Sequence, residues 1–268
     1  MPDSDIDVVE YHFYEPPGVQ RVLACGTSAF IGEVDDTTIL KYPLKPGGDR
    51  TRLELEHQIL TVVGRHPGIV EHKGFTETGL YLERAINGTI ADFLSASDRP
   101  EPSVNQRLAW CRELCEAVDH IHSRRVLHCD IQPTNVLLDR ELHIKLIDFQ
   151  GQHLSEEGDV ILDGWSGEPC RYRCPREDEF AADFKRDIFA LGSTIHFIMT
   201  GEEVFADVTY EDPSWQDVVK SRFARGIFPQ DSSVCTGVTQ KCWTQQYNSA
   251  REVVEEIRSV GDGVILEA

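Results

Sequence analysis

The segment His128-Cys129-Asp130-Ile131-Gln132-Pro133-Thr134-Asn135 sets a carboxylate and a carboxamide five residues apart. Asp130 is a candidate base toward a substrate hydroxyl, and Asn135 a candidate metal ligand. Thirteen residues after Asn135, the apolar run His143–Ile147 ends on Asp148-Phe149. That places a second carboxylate where it could hold Mg²⁺. Hard oxygen ligands of this kind suit Mg²⁺ and leave room for phosphate oxygens. An isolated HxD or DF pair carries no information, whereas the ordered combination of HxDxxPxN, strand and Asp-Phe does.

Upstream, Thr37–Tyr42 (TTILKY) reads as a β-rich run ending near a lysine, and Arg21–Val34 resembles a hairpin. Arg52–Val63 has helical spacing through Leu55, Ile59, Leu60 and Val63, and Gly64 followed by Pro67 stops it. Lys41 and Glu56 fall on these two elements. Such a pair can lock together and fix the lysine to hold the phosphates of a nucleotide. Taken alone, a strand lysine facing a helix glutamate is usually a surface salt bridge. Strands return around Ile69–Phe75 and Leu80–Leu82. After Asn87-Gly88 the pattern changes to long helices. Ser103 is a candidate N-cap for a helix running to about Ser123; Asp183–Met199, Trp215–Arg225 and Ala250–Val260 follow, with a strand-rich insert at Val126–Phe149. The expected fold class is α+β: a small β-rich lobe with one helix, a larger helical lobe, and a cleft at their junction. No repeat, low-complexity run or long linker separates independent domains.

Over roughly residues 20–260 the sequence resembles the eukaryotic protein kinase superfamily. HCDIQPTN is similar to the catalytic-loop pattern HRDLKPxN, LIDFQ to the DFG segment, and TTILK to the VAIK strand. His66–Val70 resembles the HPNIV turn. Leu80–Glu83 resembles the strand entering the hinge, with Leu82 at the gatekeeper position. Tyr172–Glu177 resembles YRAPE with its Glu displaced by one residue, and Asp187–Gly192 the DxxxxG start of the helix anchoring the large lobe. The compact length and clustered substitutions resemble divergent kinase-like proteins of filamentous fungi.

The resemblance implies one bilobal kinase domain over residues 1–268, with an N-lobe at about 15–84, a hinge at about 83–88 and a C-lobe at about 89–262. It implies ATP and Mg²⁺ as cofactors and a protein hydroxyl, Ser/Thr by type, as acceptor. Asp130 would be the base, Lys41 paired to Glu56 would position the α/β-phosphates, and Asp148 and Asn135 would hold Mg²⁺. Gln132 occupies the place of the lysine that contacts the γ-phosphate. Ala24, Gly26, Ala29, Ile31, Ile39, Leu82, Glu83, Ala85 and Leu137 would line the nucleotide site, with the hinge at Glu83–Ala85 receiving adenine and Leu137 as its floor. Leu60, His128 and Phe149 match the apolar spine that aligns the lobes.

The departures are specific. Ala24–Ile31, aligned to GxGxxGxV, keeps one glycine of three, and Ile39 replaces a small alanine over the adenine pocket, so weaker nucleotide affinity is expected. Cys129 replaces the arginine that clamps an activation-segment phosphate, which argues against switching by phosphorylation of Ser155 or Ser166. Gln132 brings no charge to a transition state rich in negative oxygen. Gln150 replaces the DFG glycine and should restrict motion at that joint. Two other readings stay open: a pseudokinase serving as a binding module, and a small-molecule kinase of the aminoglycoside-phosphotransferase type, which shares an HxDxxxxN loop. Tyr172–Glu177 followed by Asp187–Gly192 argues against the second.

Composition adds exclusions. The 268 residues carry 26 Lys+Arg against 46 Asp+Glu, a net charge of −20 that disfavours nucleic acid and anionic membranes as partners. Fourteen of those negative charges fall on residues 85–268, and residues 200–217 hold six acids (Glu202, Glu203, Asp207, Glu211, Asp212, Asp217) without Lys or Arg. A basic protein substrate is the sharper reading, a solvated acidic face the plainer one. The N-terminus, with Asp3, Asp5, Asp7 and Glu10, does not read as a signal peptide, and no stretch approaches the ~18 apolar residues of a membrane helix. The eight cysteines are therefore expected as reduced thiols in a cytoplasmic protein. Cys111/Cys115 and Cys170/Cys174 could be imagined as zinc ligands, but Cys111 and Cys115 lie on the apolar stripe of a helix and read as core.

Overall fold

The alternation of side chains along Thr38–Pro43 divides the first third of the chain into two apolar layers. Leu40 and Tyr42 point to one face, where they pack with Phe30. Ile39 and Lys41 point to the other, and Ile39 joins the main core. The computed structural model describes residues 14–178 and 183–267. The acidic residues Asp3 to Glu10, and the reading of that end as no signal peptide, lie outside the described residues.

Strands β1 (Arg21–Cys25), β2 (Ala29–Asp35), β3 (Thr38–Pro43), β4 (His72–Phe75) and β5 (Leu80–Glu83) form one antiparallel sheet in the order β1-β2-β3-β5-β4. Its register sets Ile31, Lys41 and Leu80 side by side, and Ile39 opposite Leu82. Helix α1 (Thr51–Val63) packs on the same face. Leu53, Glu56, Ile59, Leu60 and Val63 are its buried positions. Gly64 ends it at φ 70°, with its amide donating to the Leu60 carbonyl, a backbone state that costs a glycine least.

Beyond the connection at residues 84–89 the chain is mainly helical: α2 (Ile90–Ser95), α3 (Val104–Ser123), α4 (Phe184–Thr200), α5 (Trp215–Ala224), α6 (Thr236–Trp243) and α7 (Ala250–Glu267). Short strands β6 (Val126–Leu127), β7 (Val136–Leu138), β8 (Ile144–Leu146), β9 (Gln152–Leu154) and β10 (Val160–Asp163) lie between α3 and α4. β7 pairs with β8, and β10-β9-β6 form a small sheet. Most of α4 is buried, from Arg186 to Ile198, and one apolar core runs from Ile39, Leu60 and Leu82 through Phe149 to Ile257. The α+β class with a sheet-bearing part and a helical part is thus as the sequence implies.

Helices α2 and α6 were not expected; with six and eight residues each is too short for a 3.6-residue period to show. Helix α7 runs seven residues past the expected Val260. Cys111 and Cys115 are fully buried in the core. Cys170 donates to the Gln216 carbonyl, and the Cys174 sulfur accepts from Gln245. Ser103 caps α3 by accepting from the Gln106 amide at 3.2 Å. Ser103→Ala should lower stability by about 1 kcal/mol in a urea titration without changing its slope.

Candidate active site

Strand β3 and helix α1 deliver Lys41 and Glu56 to one point, and the turn after β8 brings Asp148 there. Lys41 Nζ donates to Glu56 Oε2 and to Asp148 Oδ1, each at 2.6 Å. Glu56 is fully buried and Lys41 is 11% exposed, so this is no surface pair; Asp148 keeps 35% of its side chain open. Burial by itself favours a neutral Lys41, but the two carboxylates outweigh it and hold the pKa above its ordinary value. Burial likewise works to raise Asp148, and the ammonium outweighs it, keeping that carboxyl below the usual range. At Glu56 burial dominates and pushes the pKa up.

Gln150 completes the cluster. Nearly buried, it donates from Nε2 to Asp148 Oδ1 at 3.0 Å and to Glu56 Oε2 at 3.3 Å. The sequence suggests only that a glycine's freedom is missing at this joint; the amide bridge between two carboxylates has no signal in the local pattern. Asp148 itself sits at φ 65°.

The loop before β7 is held from behind. Asp187, in the first turn of α4, accepts from the His128 amide (2.7 Å), the Cys129 amide (2.9 Å) and His122 Nε2 (3.0 Å). Burial alone would raise its pKa, but these donors hold it below the usual carboxylate range. Cys129 takes φ 63° and is buried against Leu127, Leu154 and Phe184. An apolar nest of this kind explains why a cysteine is at home there. His128 Nε2 bonds with the Ile147 carbonyl at 2.8 Å, and its ring meets Phe149 edge-on at 5.0 Å. His128, Phe149 and Leu60 thus share one core between the sheet and the helices.

Asp130 receives two side chains from its own loop. Gln132 Nε2 donates to Oδ1 at 2.7 Å, and Asn135 Nδ2 to Oδ2 at 2.9 Å and to the main-chain carbonyl at 2.8 Å. Burial, helped by the nearby Asp148 charge, outweighs these bonds and pushes the Asp130 carboxyl up to about 7. Asn135 turns its amide nitrogen inward, so its oxygen is the atom directed away from Asp130.

Of the expected nucleotide-lining residues, Ala24, Ile31, Ile39 and Leu82 fall on one face by register. Ala24 stands opposite Ile31, Ile31 opposite Lys41, and Ile39 opposite Leu82. Gly26 donates to the Ala29 carbonyl at 2.8 Å, closing the β1–β2 turn. Leu137 bridges to Thr89 across the connection. The Glu83 carboxylate turns elsewhere, to Lys145 at 3.0 Å and the Glu71 amide at 3.1 Å. The amides of Glu83 and Arg84 donate to Glu71 and Thr37, which leaves Ala85 as the next main-chain donor. A separate cavity of about 700 Å³, lined by His57, Leu60, His66, Val70 and His72, includes none of the Lys41 cluster.

A strand lysine clasped by a helix carboxylate and by the Asp of an Asp-Phe turn, beside an Asp–Asn loop, defines a protein kinase domain. The protein kinase domain family matches residues 41–259, and the chain belongs to it. The match begins at Lys41, so the hairpin that has lost two glycines lies outside it. The chain is 29% identical over 206 residues to serine/threonine-protein kinase RUNKEL of Arabidopsis thaliana, covering 73% of this chain and 14% of that protein. It is 26% identical over 234 residues to serine/threonine-protein kinase kin-29 of Caenorhabditis elegans, covering 78% and 28%. The chain therefore spans less than a third of the length of these curated relatives.

Two measurements probe this geometry. Gln150→Gly should raise amide exchange in α1 and at residues 147–151 by about tenfold, since a sub-global opening loses two charge-assisted bonds. For Asp187 the folded pKa lies below the unfolded value of about 3.9, so its stabilisation is full above that value and fades as pH falls through the folded one. Asp187→Asn should therefore lower Tm at neutral pH, and the gap to wild type should shrink as pH falls below about 4.

Proposed function

We propose that this chain is an ATP-dependent protein kinase that transfers the γ-phosphoryl group to a Ser/Thr hydroxyl, with residues 1–268 forming one bilobal catalytic unit. The observation that carries this reading is Lys41 held at 2.6 Å by both Glu56 and Asp148. The donor set fits Mg²⁺: Asp148 is a half-open carboxylate, and Asn135 offers an amide oxygen, both hard ligands. Mg²⁺, when bound by these two residues, supplies positive charge against the phosphate oxygens.

The chain's own groups then have distinct tasks. Lys41, fixed by Glu56, contacts the α/β-phosphates. Asp130 orients the acceptor hydroxyl and takes its proton; a carboxyl poised near neutrality is a better acceptor than an ordinary one. Gln132 holds Asp130 and offers a neutral amide where charge would do more. The Ala85 amide and Glu83 carbonyl meet adenine, between Ala24, Gly26, Ala29, Ile31, Ile39 and Leu82 on one side and Leu137 on the other. The net charge of −20 supports a basic protein substrate. Part of the acidic cluster is spent internally, however: Asp207 pairs with Arg222 at 2.6 Å, and Glu203 accepts from Tyr172 at 3.2 Å. Eight unpaired cysteines support a cytoplasmic location. Among the described residues no helix is long and apolar enough to cross a membrane.

One observation favours a second reading, a pseudokinase acting as a binding module. Asp148 Oδ1 already accepts from both Lys41 and Gln150, which leaves Oδ2 for a cation. Radiolabelled phosphate transfer to a basic peptide separates the two. An active kinase should lose about 10²-fold or more in kcat on Asp130→Ala and on Asp148→Asn. Equal signals from wild type and both variants would favour the module.

A further inference from the structure

The segment between Asp148 and α4 is fastened to the rest of the molecule at successive points. Gly151 runs so close to β6 that a Cβ there would lie 2.0 Å from the Leu127 carbonyl oxygen. Gly164 passes Gln150 in the same way, at 2.1 Å from its carbonyl oxygen. Both contacts demand glycine; the first aligns the segment with the loop that carries Asp130, and the second folds the segment back on the turn after Asp148. The third fastening is ionic. Glu168 has no exposed side-chain surface, and it meets two arginines. Arg186 reaches it in two-point fashion, Nε to Oε1 at 2.6 Å and Nη2 to Oε2 at 3.3 Å. Arg176 adds Nη2 to Oε2 at 3.2 Å.

Arg186 and Asp187 are consecutive in the first turn of α4, and both are buried. Asp187 grips the amides of His128 and Cys129. One helical turn therefore holds the Asp130 loop with its carboxylate and the 164–176 segment with its guanidinium. At Cys129, where the resemblance would put a phosphate-clamping arginine, the side chain packs with Leu127, Leu154 and Phe184. Ser155 is engaged otherwise as well: its hydroxyl accepts the Glu157 and Asp159 amides that shape the β9–β10 turn.

We propose that Glu168 is a positioning residue: its buried carboxylate, locked to Arg186 and Arg176, sets the 164–176 segment against the Asp130 loop without any added phosphate. The guanidinium of Arg186 is suited to this because its planar fork matches a carboxylate at two points. A lone buried salt bridge would do no more than tie the segment down. Its neighbour Asp187 makes this one different, because loosening Glu168 frees the turn that holds the catalytic loop.

The kinetic part of this inference rests on the kinase reading; its structural part does not. The full chain is treated with phosphatase until its intact mass shows no phosphate, then compared with Glu168→Gln by amide exchange and by peptide phosphorylation. The unphosphorylated wild type should keep its kcat. Glu168→Gln should lower kcat by about tenfold with KM for ATP little changed, and speed exchange at residues 127–130 and 164–176 by about tenfold. Equal exchange in the two proteins, or loss of wild-type activity on phosphatase treatment, would overturn the proposal. If neither protein transfers phosphate, the kinase reading has failed and exchange alone decides the lock. Should Glu168→Gln not fold, Arg186→Lys keeps the charge without the fork; exchange like wild type in that variant would overturn the proposal too.

Discussion

A buried ammonium needs counter-charge, and Lys41 finds it in two places 15 and 107 residues away in sequence. Removing Lys41 would leave two neighbouring carboxylates without their counter-charge, a penalty of several kcal/mol. The cluster therefore fixes more than the lysine. It sets how far α1 lies from β3, and where the turn after β8 meets both. Gln150 closes the ring by donating to the two carboxylates that would otherwise repel each other. Buried ion pairs are weak evidence for stability, but they are exacting about geometry. Here that geometry is the relation between the sheet and the helical part.

Asp187 plays the corresponding part on the other side of the cleft. It is fully buried and held by three donors: two backbone amides and His122. Such a carboxylate can hold a backbone in a left-handed state, as at Cys129, that would otherwise be strained. Asp130 and Asn135 inherit their placement from this anchor. The chain has dispensed with cationic helpers at positions 129 and 132, and the residues in their place satisfy local needs instead. Cys129 fills an apolar nest, and Gln132 bonds Asp130.

Much of this was legible in the sequence, for reasons that differ from element to element. Helix α3 announces itself through Ser103 and the stripe from Leu108 to Ile121, because cap and period are local properties. The pairing of Lys41 with Glu56 could be named because strand and helix each had a readable pattern. Lys41 against Asp148, by contrast, depends on a tertiary turn that no spacing rule reports. Gln150 is the sharper case: sequence shows a missing glycine, and only three-dimensional placement shows a donor reaching two acids. The ion pair of the Glu83 carboxylate with Lys145, a cation contributed by β8, likewise has no signal in the spacing. Short elements such as α2 fell below the length at which periodicity speaks.

The central claim is that the Lys41 cluster is built to receive a metal-bound nucleotide. A thermal-shift titration with ATP, in the presence and absence of Mg²⁺, tests it most directly. The account predicts that Tm rises with Mg²⁺-ATP in the wild type, by mass action on the folded state, and that Lys41→Met abolishes the rise. An unchanged Tm in the wild type at millimolar Mg²⁺-ATP, or an equal rise in Lys41→Met, would contradict it.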